Sequence, residues 1–303
     1  MTTMFEEDES PLRRLLRQYA RSRLAVLGAA VLLALMLAAL FAPLLAPQNP
    51  YDLAQLNILD SRLPPGSHGG NDAAGQGKLY LLGTDDQGRD MLSGMLYGLR
   101  ISLGIGVVAT LAALSLGATL GLLAAYAGGR LDALLMRIVD IQLSFPAILV
   151  ALVLVTVLKP GVGNVAIALV AVQWAYYART VRAAALVERR KEYIEAAQGL
   201  ALSDARIVLR HLLPNCLPPV IVVAALQVAN AISLEATLSF LGLGVPITEP
   251  SLGLLIANGQ QYLLAGKYWM SLYPGVLLLL TILAINLVAD QLRDVSNPRL
   301  QKQ

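Results

Sequence analysis

The chain has 303 residues, of which 56% are hydrophobic and only 14% charged, with a mean hydropathy of +0.63. That is far more apolar and far less charged than a soluble domain of ordinary composition, and so much apolar surface calls for a bilayer. The net charge is +3 and the pI near 9.0, yet the 23 basic residues are scattered among apolar runs and form no phosphate-tracking stripe, which argues against a nucleic-acid partner.

A spanning helix needs about 20 apolar residues, because each rises ~1.5 Å through a hydrocarbon core of ~30 Å. Residues 1–23 form a polar N-terminal segment with Arg13, Arg14, Arg17, Arg21 and Arg23, followed by an apolar run from Leu24 to Leu45. A basic start before an apolar run also describes a cleaved signal, but this run exceeds the roughly 7 to 15 residues of a signal core and is expected to be a retained helix spanning 24–46. The polar segment 47–100 follows, with a stretch rich in Gly and Pro from Pro64 to Gly77 that reads as flexible loop. Five further apolar runs extend from Ile101 to Tyr126, Ile138 to Leu158, Val162 to Val187, Leu217 to Leu241 and Leu272 to Leu292, before a tail over 293–303. Pro146 interrupts the third span, and Pro218 with Pro219 opens the fifth, so these spans are expected to be kinked or to start late. The expected fold is all-α and polytopic, with a single helix, an external loop and a five-helix core over 101–292.

Orientation follows from the excess of Lys and Arg on cytoplasmic flanks. With the N-terminal segment inside, alternation also puts inside Arg130, Arg137, Arg179, Arg182, Arg189, Arg190, Lys191, Arg206, Arg210, Arg293, Arg299 and Lys302. Only Arg62, Lys78, Arg89, Arg100, Lys159 and Lys267 remain outside. Six spans with both termini cytoplasmic fit this bias. No internal repeat, such as the inverted halves of many secondary transporters, is evident.

Between the fourth and fifth spans, Glu188 to Asn215 has helix-forming residues up to Leu202 and then a fresh start signal, with Ser203 as N-cap and Asp204 in the first turn. Ile207, Val208 and Leu212 give an apolar side with Leu209 and Leu213, Arg206 and Arg210 sit four apart on a polar side, and Pro214 is expected to stop the helix. The expectation is two short helices joined at a turn, a lever tethered at both ends to spanning helices. Competing readings are a DNA-binding helix-turn-helix, which the flanking spans disfavour, and an amphipathic hairpin resting on anionic lipid headgroups. Glu195 by itself reads as a solvated helix charge.

The string EAAQGLALSD followed by LP resembles the EAA loop of ABC importer permeases, with Glu195, Ala196, Ala197, Leu213 and Pro214 at the family's spacings. Two positions depart: Ala201 stands where Gly is usual, with Gly199 two residues early, and His211 stands at an Ile position. Alanine reaches positive φ at greater cost than Gly, so the sharpness of the turn is at issue. LGTDDQGRD (Leu82 to Asp90), LSFLGLGVPITEPSLG (Leu238 to Gly253) and NLVADQLRDVSNPR (Asn286 to Arg299) are similar to segments of the dipeptide, oligopeptide and nickel branch, and the six spans with a long first external loop resemble its C-type permease. The resemblance implies a bacterial inner-membrane subunit that pairs with a second, homologous permease, seats its EAA loop in a cytoplasmic ABC ATPase, and receives solute from an extracytoplasmic binding protein. It implies ATPase coupling through Glu195, Ala196, Ala197, Ala201, Ser203, Leu213 and Pro214, with ATP and Mg held by the partner ATPases. Dipeptides, longer peptides, glutathione, opines and nickel are the solutes it leaves open.

The chain itself has no G-x-x-x-x-G-K-[ST]; the nearest fragment, Gly75 to Lys78, lacks the first Gly and has Leu79 where the Mg-binding hydroxyl belongs, so no cofactor and no catalysis are expected in this chain. One cysteine, Cys216, with only His68 and His211, offers no disulfide framework and no metal site, and Cys216 reads as a small buried hydrophobe. Among polar residues within spans, Gln227, Asn230 and Glu235 are candidates for a translocation path, Glu235 alternatively pairing structurally near the outer end of its helix. Asp140, Asn286 and Asp290 are expected near cytoplasmic ends, pairing with residues such as Arg137 or Arg293. Asp85, Asp86, Arg89 and Asp90 read as a local ion-pair network, or as a docking site for the binding protein. The rival of a different class is an ion-driven secondary transporter or channel, which calls for intramembrane acids on broken helices.

Overall fold

The computed structural model describes residues 17–52, 56–70 and 77–295. Arg13, Arg14, Arg299 and Lys302, used above for orientation, lie outside these residues, as do Gly75 and the end of the Asn286 to Arg299 segment. The elements are α1 (Arg23–Leu40), the short strands β1 (Ser67–Gly69) and β2 (Lys78–Tyr80), α2 (Met91–Ala127), α3 (Gly129–Ser144), α4 (Ala147–Leu158), α5 (Val162–Glu188), α6 (Glu192–Gly199), α7 (Asp204–Phe240), α8 (Leu252–Gln260) and α9 (Trp269–Val295). The fold is all-α apart from the antiparallel β1–β2 pair, in which His68 faces Leu79. β1 lies within the stretch Pro64 to Gly77 expected to be flexible loop, and β2 begins just past its end.

Among the described residues, four helices, α1, α2, α7 and α9, are long and apolar enough to cross a membrane. α3 and α4 meet at 92° beside Pro146 and together qualify as a fifth span, so the expected kink is a near right angle. α5 has the length, with 27 residues, but Asn164, Gln173, Arg179 and Arg182 dilute its apolar content, and six spans are reached only by counting it on length. The helices give the bundle two distinct ends. A capped end carries the segments between α1 and α2 and around α8, joined where Trp269 Nε1 donates to the Thr84 carbonyl at 3.2 Å and Arg62 lies over the Tyr262 ring. The opposite, basic end carries α6 and the start of α7.

Two boundaries differ from expectation for physical reasons. α2 starts at Met91, ten residues before Ile101, because Asp90 caps it: Asp90 Oδ2 accepts from Ser93 N at 2.8 Å and from Ser93 Oγ at 2.6 Å. The extra turns are held by Met91 and Met95, which pack with Leu255, Trp269 and Met270. Pro214 does not stop its helix. Ile207–Leu212 form π turns, with Leu213 N donating to the Val208 carbonyl five residues back, and the helix continues as Leu213–Phe240 with Pro214 in its first turn. A ring that would collide with the carbonyl four residues back is thus accommodated by a locally widened helix, and Asn215 Nδ2 donates to the His211 carbonyl at 2.7 Å.

The most extensive helix–helix contact in the bundle is between α2 and α5. Ala109, Ala113, Gly117, Gly121 and Ala125 recur every four residues on α2 and are all buried, Ala109 packing with Leu169 and Val172 of α5 and the other four facing Tyr177, Ala178, Val181 and Ala185. Without a hydrophobic drive between helices in lipid, such small residues allow backbones to approach and dispersion to hold them. A Cβ at Gly117 would run into the Trp174 carbonyl and lie 2.6 Å from Tyr177 Cβ. Gly117→Leu is therefore expected to destabilise the detergent-solubilised protein by about 2 kcal/mol or more, seen as a lowered melting temperature. Gly104→Ala, whose added methyl meets nothing within 4 Å, should leave it unchanged or slightly raised, as expected for Gly→Ala in a helix interior.

Candidate functional site

The basic end holds the loop singled out in the sequence. α6 is two turns long and buries one side: Ile194 and Ala197 pack with Ile207 of α7 and with Tyr126 and Leu202. Its other face, with Glu195 and Ala196, is exposed, and Leu200 beyond its end is 75% exposed. Ala201 then turns the chain with φ +52, one of three non-glycine residues with positive φ among those described. The turn is made despite the missing Gly, at a cost of roughly 1 kcal/mol for an L-residue in the left-handed region. Ser203 sits at the N-cap of α7, and its carbonyl accepts from Ile207 N at 3.0 Å, but its side chain makes no capping bond. Leu213 is half-buried and Pro214 exposed. The seven loop residues thus divide: Glu195, Ala196, Ala201, Ser203 and Pro214 reach the surface, while Ala197 and Leu213 pack inward.

The loop is fastened to three long helices. Tyr126 at the end of α2 hydrogen-bonds Asp204 at the start of α7. Arg189, just past α5, donates from Nη1 to the Ala125 carbonyl at 2.8 Å and lies over the Tyr126 ring. Glu188, the last residue of α5, accepts from Lys191 Nζ at 2.6 Å and from Tyr193 OH at 2.8 Å. α3 is braced on α5 by Arg182 with Asp132 and Arg179 with Asp140. Asp140 therefore pairs with Arg179 rather than Arg137, and no ion pair joins Asp290 to Arg293 among the described residues.

The residues singled out within the spans fall into two places. Gln227 and Asn230 line a cavity of about 410 Å³ between α4, α5 and α7. Glu235 does not line it. Glu235 is fully buried nearer the capped end, where Oε2 accepts from Ser102 Oγ and Oε1 from Ser239 Oγ, each at 2.7 Å, and where Ser251 is a third partner. Gln173, Tyr176, Ser233 and Thr237 also line the cavity. Sequence reasoning passed over Gln173, although an amide in an apolar run is the same signal that marked Gln227.

At the capped end, Asp85, Arg89 and Asp90 are buried and hold the turn together. Arg89 Nε donates to Asp85 Oδ2 at 2.6 Å, Asp85 Oδ1 accepts from Gln87 N and Arg89 N, and Asp90 caps α2. Only Asp86 of the four reaches the surface, and its Oδ1 is buried without a partner among the described residues. Burial, with the Asp85 carboxylate second, holds the Asp86 carboxyl above its usual range. No cluster of three or more His, Cys, Asp or Glu able to hold a metal occurs among the described residues, and Cys216 is a buried free thiol.

Residues 117–302 match the model of the binding-protein-dependent transport system inner membrane component, and residues 10–65 that of the N-terminal TM domain of oligopeptide transport permease C. The chain is 39% identical over 293 residues to a dipeptide transport system permease protein of Escherichia coli, covering 97% of this chain and 95% of that one. It is 35% identical over 294 residues to the dipeptide transport system permease protein of Haemophilus influenzae, covering 97% of each. A di/tripeptide transport system permease protein of Pseudomonas aeruginosa is 37% identical, over 96% of this chain and 93% of its own. Among solved structures, a chain of the MetNI methionine ABC transporter in an inward-facing form shares the fold with a TM-score of 0.56 at 22% identity, over 68% of this chain and 97% of that one.

Two stability predictions follow from the loop and the turn. Ala201→Gly should stabilise the loop by about 1 kcal/mol, read as roughly fivefold slower amide hydrogen exchange over residues 200–202. Because folding raises the Asp86 pKa, its ionisation costs stability as pH climbs above the unfolded value of about 3.8. Asp86→Asn should therefore raise the melting temperature at pH 7, with the gain vanishing below about pH 4.

Proposed function

Since this chain belongs to the family of binding-protein-dependent transport system inner membrane components, and is thereby a permease subunit of an ABC importer, we propose that it carries di- or oligopeptides inward and that the exposed face of α6 is its contact with the ATPase. The observation that carries the coupling role is the fastening of α6 to the ends of α2, α5 and α7 while Glu195, Ala196 and Leu200 stay exposed. A push on that face has nowhere to go except into the spanning helices. The dipeptide and di/tripeptide names of the relatives support the choice of solute.

In this reading the basic end is cytoplasmic, as are both termini, and α1, α2, the bent pair α3–α4, α5, α7 and α9 make six spans. A second, homologous permease completes the passage, and an extracytoplasmic binding protein docks at the capped end, where Asp86 is the accessible member of its acidic turn. ATP and Mg bind the partner ATPases, and this chain performs no catalysis. ATP draws the two ATPases together, α6 follows, and α2, α5 and α7 shift access from one side to the other. Nucleotide and loaded binding protein act by preferring different states of the same two-state element.

The test is reconstitution of the complete transporter with Glu195→Lys and Ala196→Arg, both at exposed positions. ATPase activity stimulated by loaded binding protein should fall at least tenfold while the chain stays inserted and assembled with its permease partner. Undiminished stimulation with unchanged uptake would remove α6 from the coupling contact.

A further inference from the structure

Midway along the Leu213–Phe240 part of α7, with 14 of its residues before it and 13 after, Gln227 lies beside Gln173 of α5 on the wall of the cavity of about 410 Å³. Gln173 is held on both sides: its Oε1 accepts from Thr110 Oγ1 at 3.4 Å, and its Nε2 donates to the Gln227 main-chain carbonyl at 3.1 Å. Asn230 Nδ2 donates to Gln227 Oε1 at 2.6 Å. These bonds orient the amides of Gln227 and Asn230 and leave one group of each unused, the Gln227 Nε2 donor and the Asn230 Oδ1 acceptor, three residues apart on one helix face. Asn230 and Thr237 are exposed at the cavity mouth. Polar side chains exposed at the depth of a bilayer are costly against lipid, so this face is turned to a wet passage or to protein.

We infer that Gln227 and Asn230 form a contact for the peptide backbone in the passage, Gln227 Nε2 donating to a peptide carbonyl and Asn230 Oδ1 accepting from a peptide N–H. The inference rests on the peptide reading above and adds its chemistry. A donor beside an acceptor matches the two groups that every peptide bond of any sequence presents. The cavity carries no acid, base, His or Cys, and its walls are Ile148, Val172 and Leu234 beside hydroxyls. Charged, polar and apolar side chains of a peptide therefore meet no dedicated partner there, and a metal cation meets no ligand set. The one acid of Leu213–Phe240, Glu235, is turned away and closed off by its serines, which keeps its carboxyl group out of the passage.

The complete transporter, reconstituted in lipid vesicles, is tested with tri-alanine and with tri-alanine methylated on its backbone nitrogens, both at concentrations that saturate the binding protein. Gln227→Leu and Asn230→Leu, close to the native residues in size, are each expected to cut tri-alanine uptake about tenfold, the order expected for losing one hydrogen bond, with stimulated ATPase retained. Asn230→Leu should also abolish the wild-type preference for the unmethylated peptide. Uptake unchanged in both variants, or a preference that survives Asn230→Leu, would overturn the backbone contact alone. Loss of co-purification with the second permease would also overturn it, by making this face a subunit contact. A wild-type transporter that hydrolyses ATP on stimulation yet takes up no peptide would overturn the peptide reading itself.

Discussion

The close approach of α2 to α5 underlies everything else in this molecule. Ala109, Ala113, Gly117, Gly121 and Ala125 put no side chain larger than a methyl between the two helices, so the backbones lie near enough for Gly117 to touch the Trp174 carbonyl. Both functional features hang on this pair. At mid-depth Thr110 of α2 positions Gln173 of α5 beside the cavity, and at the basic end Tyr126 and Ala125 of α2 meet Arg189 just past α5. A bundle whose two innermost helices are locked in register moves as a body, which is what a lever at one end requires if it is to alter access along the whole length.

The polar groups follow a consistent division of labour. Those at the capped end are turned inward as structure: Asp85 with Arg89, Asp90 as a helix cap, and Glu235 among its serines. Those at mid-depth are neutral amides and hydroxyls, partly engaged and partly open. The charged groups of the basic end bind helices to one another, with α3 held on α5 by two Arg–Asp pairs. A buried carboxyl group with hydroxyl partners and no cation nearby has its hydrogen-bonding needs met within the bundle, which accounts for an acid in an apolar helix that does not line the cavity.

Much of this was legible in the sequence. The apolar runs placed α1, α5, α9 and the far ends of the α3–α4 pair and of α7 within about five residues. α3 starts nine residues and α7 thirteen residues before the runs that announced them, since only the apolar part of a helix shows in hydropathy. The start of α2 was not, because ten of its residues are secured by the Asp90 cap and by packing on Trp269 and Met270 far along the chain. Pro214 looked like a stop, since a proline ends an ordinary helix, and only the π turns of Ile207–Leu212 let the chain pass through it. The spacing of Ala113, Gly117, Gly121 and Ala125 is plain to see, but spacing alone does not say which helix it faces. Glu235 and Gln227 carry the same signal, a polar residue in an apolar helix. Their separation into a closed network and an open cavity depends on Ser102 and Gln173 from other helices.

Coupling through the clamp requires α6 to move as one body with the ends of α2, α5 and α7. Spin labels at Gln198 and Ala127, both exposed, in a Cys216→Ser background would report the distance across the clamp by pulsed electron resonance in the assembled transporter, with and without trapped ATP. A second pair, Gln198 and the corresponding loop of the partner permease, would report the stroke. A lever of this kind keeps the Gln198 to Ala127 distance constant while the distance between the two loops shortens. A Gln198 to Ala127 distance that changes with nucleotide while the loops keep their separation would contradict it.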